Sequence, residues 1–128
     1  MLLKDKFFTI KNEEHTGELS CRYDAQLLED CECYKGHFPG KPVSPGVCNI
    51  EMIRECSELL CGKDLKIDTI KMCRLTEIAS PSVCPEVSVT VSLSPNSDSS
   101  AYTVTAEISD AEKSYMTLKG QFVVAGNL

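Results

Sequence analysis

The sequence predicts an α+β domain in which an antiparallel sheet wraps around one long central helix. Three observations carry this expectation. Pro45 to Cys61 is the one strong helix candidate, and its apolar residues cover most of its circumference. The segments on either side alternate apolar and polar residues with the period of two expected of half-buried strands. The strand-like segments after the helix are separated by polar, turn-rich stretches such as PNSDSS and SDAEK. A chain of 128 residues fits a single domain, 1–128, that can bury a core without staples.

Residues 1–6 are too short to class beyond a small turn. Phe7 to Lys11 (FFTIK) reads as a strand, and EEHTGE reads as a turn with Gly17 at the bend and His15 exposed in it. Glu18 to Ala25 alternates, with Leu19, Cys21 and Tyr23 on one face, and pairs with the first strand as a hairpin. In the helix, Ser44 suits the cap, Pro45 the first turn and Gly62 the C-terminal stop. Val47, Cys48, Ile50, Met52, Ile53, Cys56, Leu59, Leu60 and Cys61 make it a helix that surrounding structure should bury. Leu65 to Leu75 is an extended segment with Ile67, Ile70, Met72 and Leu75 expected inward. Pro81 and Pro85 bound an irregular stretch, after which Val87, Val89, Val91 and Leu93 alternate with Ser88, Thr90 and Ser92. Ala101 to Ser109 and Tyr115 to Val124 complete a last pair.

Composition narrows the class. The chain is 42% hydrophobic and 25% charged, which fits a folded globular protein. No apolar run is long enough to span a bilayer, and Lys4, Asp5 and Lys6 interrupt the apolar start, so a cytoplasmic protein without a secretory signal is expected. Eight cysteines in that compartment read as reduced, small apolar fillers; Cys31 and Cys33 form a CxC with no second pair at zinc spacing, so no metal site is expected. A net charge of −6 argues against nucleic acid as the main partner. Residues 35–74 nonetheless hold seven bases and five acids. That zone either steers an acidic partner or is a solvated surface of mixed sign.

The densest chemistry lies in YKGHFPGKPVSPGVCNIEMIRE, Tyr34 to Glu55. Gly36, Pro39, Gly40, Pro42, Pro45 and Gly46 fall within eleven residues, which defines a loop of fixed shape. His37 sits in that loop and Glu51 on the early helix. The helix start at Pro45–Gly46 presents unpaired N–H groups and partial positive charge, suited to a carbonyl or oxyanion. Burial on an apolar helix is expected to raise the pKa of Glu51 and make it a proton donor, while neutral imidazole serves as base. Glu55, at i+4 from Glu51, raises it further unless Arg54 or Lys35 neutralises Glu55. Together these groups suit removal of a proton α to a thioester carbonyl with loss of a β-hydroxyl. The plain alternative is structural: His37 braces its loop and Glu51 pairs with a buried Arg.

GHFPGKPVSPGV followed by IE resembles the signature of the 3-hydroxyacyl-[acyl-carrier-protein] dehydratases, close to GHFPGxPVMPGVLxIEAxAQ. The family's catalytic His and acid are fourteen residues apart, as are His37 and Glu51. The resemblance implies a hotdog fold and dehydration of a 3-hydroxyacyl thioester on an acyl carrier protein, in fatty-acid or related acyl or polyene biosynthesis. It implies His37, Glu51 and the Gly46 backbone amide as catalytic groups, with Phe38, Pro39, Val47, Ile50 and Glu55 beside the substrate. It further implies no cofactor, an acyl tunnel, and a homodimer with His37 of one subunit facing Glu51 of the other. Ser44 replaces a typical Met, Glu55 stands where Gln is usual, and SPSVCPEV departs from the family's later Pro-rich turn. A hotdog thioesterase, or a non-catalytic partner subunit, is the competing expectation.

Overall fold

The computed structural model describes residues 3–28, 46–77 and 85–125. Among these residues, six strands and one helix run in the order β1 (Phe8–Gly17), β2 (Ser20–Leu27), α1 (Gly46–Cys61), β3 (Leu65–Leu75), β4 (Glu86–Pro95), β5 (Ala101–Ser109) and β6 (Ser114–Val124). All neighbouring strands are antiparallel, in the sheet order β1-β2-β4-β5-β6-β3. The helix lies between β2 and β3, β3 joins the far edge of the sheet, and the chain then returns to β4 beside β2.

Register explains why the core is continuous. Cys21, Tyr23 and Ala25 of β2 stand opposite Val91, Val89 and Val87 of β4. Val91, Val89 and Leu93 meet Ala106, Ile108 and Val104 of β5, and Ala106 and Ile108 meet Leu118 and Met116 of β6. Each of these positions is buried, so the period of two on four adjacent strands builds one apolar face. Met52, Ile53 and Cys56 of α1 cover that face and are fully buried. Burial of an Ile or Met side chain contributes about 1.5–3 kcal/mol, so this short stripe is enough to fix the helix to the sheet. Gly62 ends α1 at φ 72°, and its N–H donates to the Glu58 carbonyl at 2.8 Å. The Glu58 carboxylate accepts the Leu65 N–H at 2.8 Å and so ties the helix end to the start of β3.

Three expectations need correction. EEHTGE is not a turn: β1 continues through it to Gly17, the turn moves to Glu18–Leu19, and His15 lies exposed on β1 beside Glu13 at 3.3 Å. An edge strand needs only its ladder, and Glu13, Glu14 and His15 pair with Tyr23, Arg22 and Cys21 while their side chains stay in solvent. The inward set of β3 is also wrong. Only Leu65 is buried, Ile67 and Met72 are half-buried, and Ile70 and Leu75 are exposed, because irregularities at Ile67/Thr69 and Ile70/Met72 break the alternation. Finally, α1 is not covered all round: Val47 is 74% exposed and Leu59 40%.

Gly120 of β6 permits the close approach of β3, since a Cβ there would stand 2.4 Å from the Thr69 carbonyl oxygen. Of the described cysteines, Cys21 and Cys56 are buried, Cys48 and Cys61 half-buried, and Cys73 exposed. Among the described residues no helix is long and apolar enough to cross a membrane.

Candidate active site

Four charged side chains cluster on α1, at positions 51, 54, 55 and 58. Arg54 is the hub. Its Nε donates to Glu51 Oε1 at 2.8 Å and its Nη2 to Glu51 Oε2 at 2.5 Å, a two-pronged pairing. Its Nη1 meets Glu58 Oε2 at 2.8 Å and the Leu65 carbonyl at 2.9 Å. The side chains of Arg54, Glu51 and Glu58 are 17%, 19% and 10% exposed, so these pairs are shielded from most solvent screening.

Glu55 points elsewhere and is fully buried. The Leu3 N–H donates to both of its carboxyl oxygens, at 3.2 and 3.0 Å, and the Lys4 N–H donates at 2.9 Å. The turn before β1 therefore closes over the helix. Burial pushes the Glu55 carboxyl up to about 7, aided by its hydrogen bond to Glu51 and opposed by the Lys4 and Leu3 amides. Glu51 moves the other way. Burial alone would raise it, but hydrogen bonds from Arg54 and Glu55 and the Arg54 charge outweigh burial and hold it below its ordinary value. The expectation of a raised pKa at Glu51 is thus corrected: Arg54 holds Glu51 below its ordinary value, and it is Glu55 that burial raises.

Gly46 opens α1, and no atom of a described residue lies within 4 Å of the place a Cβ would take there. Val47, beside it, is exposed and Ile50 half-buried, while Glu55, expected against substrate, faces the N-terminal turn. His37, Phe38 and Pro39 lie outside the described residues. The two described clefts are elsewhere, one by Lys11, Asp24 and Asp110 and one by Met72, Thr90 and Thr117, and no α1 residue lines either.

The structural alternative, Glu51 paired with an Arg, is what α1 shows, and the Arg is Arg54, which sequence reasoning had set against Glu55. Residues i−3 and i+4 share a helix face with position i, whereas neighbours in sequence do not, so Arg54 reaches Glu51 and Glu58 rather than Glu55. The N-terminal amides that hold Glu55 left no signal, being contacts across about fifty residues.

Asn49 was also overlooked. Its side chain is buried, and neither its amide nitrogen nor its amide oxygen has a hydrogen-bond partner. It shares the inward stripe with Met52, Ile53 and Cys56. An unpaired buried polar group costs about 1–3 kcal/mol, so Asn49→Leu is expected to raise the midpoint of chemical denaturation. A lower midpoint would show that the amide is satisfied in solution.

A six-stranded antiparallel sheet curled on one central helix defines this chain as a hotdog-fold protein. The dehydratase heterocomplex ApeI:P from Xenorhabdus doucetiae has the same fold, with a TM-score of 0.66 at 15% identity over 89% of this chain and 96% of that one. An uncharacterized protein from Erwinia carotovora subsp. atroseptica is similar at a TM-score of 0.55 and 13% identity, over 92% and 95% of the two chains. A family model described as ApeI-like, ApeI dehydratase, matches residues 10–118, and the chain belongs to that family. Curated relatives match over a shorter span. The 3-hydroxyacyl-[acyl-carrier-protein] dehydratase FabZ of Caulobacter vibrioides (strain NA1000 / CB15N) is 47% identical over 36 residues, which is 28% of this chain and 23% of that protein. Its counterpart from Caulobacter sp. (strain K31) is 44% identical over 36 residues, and the match covers 22% of it. The chain thus spans less than a quarter of the length of these relatives in the match.

Proposed function

We propose that this chain converts a 3-hydroxyacyl thioester, carried on an acyl carrier protein, into the trans-2-enoyl thioester with loss of water. The observation that supports this best is Glu51 on the first turns of α1, five residues from the Gly46 that opens the helix, in a chain of a dehydratase family. His37 removes the proton α to the carbonyl. The Gly46 N–H, at the positive end of the helix, stabilises the negative charge that develops on the carbonyl oxygen. Glu51 meets the departing hydroxyl. Phe38, Pro39, Val47 and Ile50 line the path of the acyl chain. No cofactor takes part, because acid–base catalysis is sufficient for elimination next to a thioester.

The site is shared between subunits in this reading, with His37 of one facing Glu51 of its partner. β3 supports such an assembly. It is an eleven-residue edge strand paired on one side by β6, and it carries Ile70 at 40% and Leu75 at 53% exposure. The similar ApeI:P protein is a heterocomplex, so the partner is either a second copy or a related chain.

The test is incubation of the purified protein with a 3-hydroxyacyl thioester. Enoyl absorbance is the expected result. Free thiol in its place would identify a thioesterase, and neither product would leave an acyl-binding subunit.

A further inference from the structure

Unpaired bases of this acidic chain gather on one side of the sheet. β3 and β6 pair so that Arg74 stands opposite Thr117 and Met72 opposite Lys119. β6 in turn sets Thr117 against Glu107 and Lys119 against Thr105 of β5. Ala106 and Leu118, which lie between these two rows, are buried in the core. By the period of two, both rows therefore stand on the outer face of the sheet, away from α1. They line a groove of about 410 Å³ that continues onto β4, with half-buried Met72 at its β3 end. Lys66 extends the same face opposite Val123, and Lys71 projects at the irregularity between Ile70 and Met72.

Lys66, Lys71, Arg74 and Lys119 are all exposed, and none forms an ion pair with a described residue. Asp68 and Glu107 are the acids among them, and the Ser114 hydroxyl donates to Glu107 at 2.8 Å. Four bases against two acids leave a positive surplus on a chain whose net charge is −6. The far end of the outer face differs. Arg22 is already taken there, by Glu14 at 3.2 Å and Asp24 at 3.4 Å. The cleft beside it is bordered by Asp24, Glu86, Asp110 and Glu112, with Lys11 as its base. The charge asymmetry would orient an acidic partner as well as attract it.

We propose that the outer face of β3 and β6 is the docking surface for the carrier protein. A carboxylate-rich face of the carrier lies against Lys66, Lys71, Arg74 and Lys119, and an apolar side chain of it enters the groove beside Met72. This rests on the reading of a carrier-bound substrate. A substrate that arrives on a protein needs a surface that receives a protein, and the acids that dominate the rest of this chain would repel an acidic one. The docking leaves the β3 edge free for assembly. Strand pairing uses the in-plane N–H and C=O groups of an edge, whereas Lys66, Met72 and Arg74 project out of that plane.

The test is a triple charge reversal on this face, Lys66→Glu with Arg74→Glu and Lys119→Glu. The control makes the same change of net charge elsewhere, at the exposed Lys6, Lys11 and Lys113. At low ionic strength the face variant is expected to raise KM for the carrier-bound 3-hydroxyacyl substrate roughly 10-fold, with kcat nearly unchanged. Its kcat/KM for a small 3-hydroxyacyl thioester that lacks the carrier should equal that of the wild type. Added salt should raise the wild-type KM and close the gap between the two. A wild-type KM in the face variant overturns the proposal. An equal rise in the control also overturns it, because net charge alone would then be at work. A wild type that makes no enoyl product from either substrate overturns the dehydration reading by itself. Docking is then decided by titrating the unacylated carrier. Binding lost in the face variant but kept in the control upholds the surface; equal binding by all three, or none by the wild type, overturns it.

Discussion

Glu51→Gln and His37→Ala are each expected to lower enoyl-thioester formation by roughly 10²–10⁴-fold, the usual worth of one general acid or base. For Glu51 the argument is geometric. It stands five residues into α1, where the helix fixes its distance from the Gly46 amide, and Arg54 locks both of its oxygens in place. Gln keeps the length of the side chain but can neither accept nor pass on a proton. Circular dichroism should show both variants folded, since neither residue belongs to the Met52–Ile53–Cys56 stripe that fixes the helix. A variant at either position with the wild-type rate would remove that residue from the reaction.

Arg54→Met is the substitution expected to cost most in stability. Arg54 satisfies both oxygens of Glu51, one of Glu58 and the Leu65 carbonyl, all in a setting less than one-fifth exposed. Removing it leaves three glutamates along one stretch of helix without a cation. Glu58 would keep the Leu65 N–H, but Glu51 would lose both of its Arg54 hydrogen bonds. Breaking a shielded pair by deleting one partner costs about 3 kcal/mol, and for a domain of this size that lowers Tm by about 10 °C. With the Arg54 hydrogen bonds and charge gone, burial would weigh more heavily on Glu51 and raise its pKa. Thermal melts decide the point: an unchanged Tm would show a solvent-screened pair worth little.

Much of this fold could be read from the residues, and the exceptions share a cause. β4 and β5 were legible because both flank the core and alternate strictly. The helix was legible from its length and from Gly62, whose positive φ confirms the stop. β1 was not fully legible, since an edge strand with solvent on one side has no reason to look apolar, and NEEHTG carries turn residues in ladder positions. β3 had correct limits but the wrong face, because two irregularities in its ladder are invisible in composition.

The site divides the same way. Local spacing on one helix is readable, and Glu51, Arg54 and Glu58 were present in it as i, i+3 and i+7. The direction in which each carboxyl shifts was not. It depends on the burial of Glu55 and on which glutamate Arg54 grips, and both are settled by packing. Two like residues four positions apart thus acquire opposite shifts from their surroundings.

The most direct measurement is the mass of the acyl group on a carrier protein charged with a 3-hydroxyacyl chain, before and after exposure to this protein. The account predicts loss of one water with the thioester bond intact. An acyl group of unchanged mass, or a carrier stripped of its acyl chain, would contradict it.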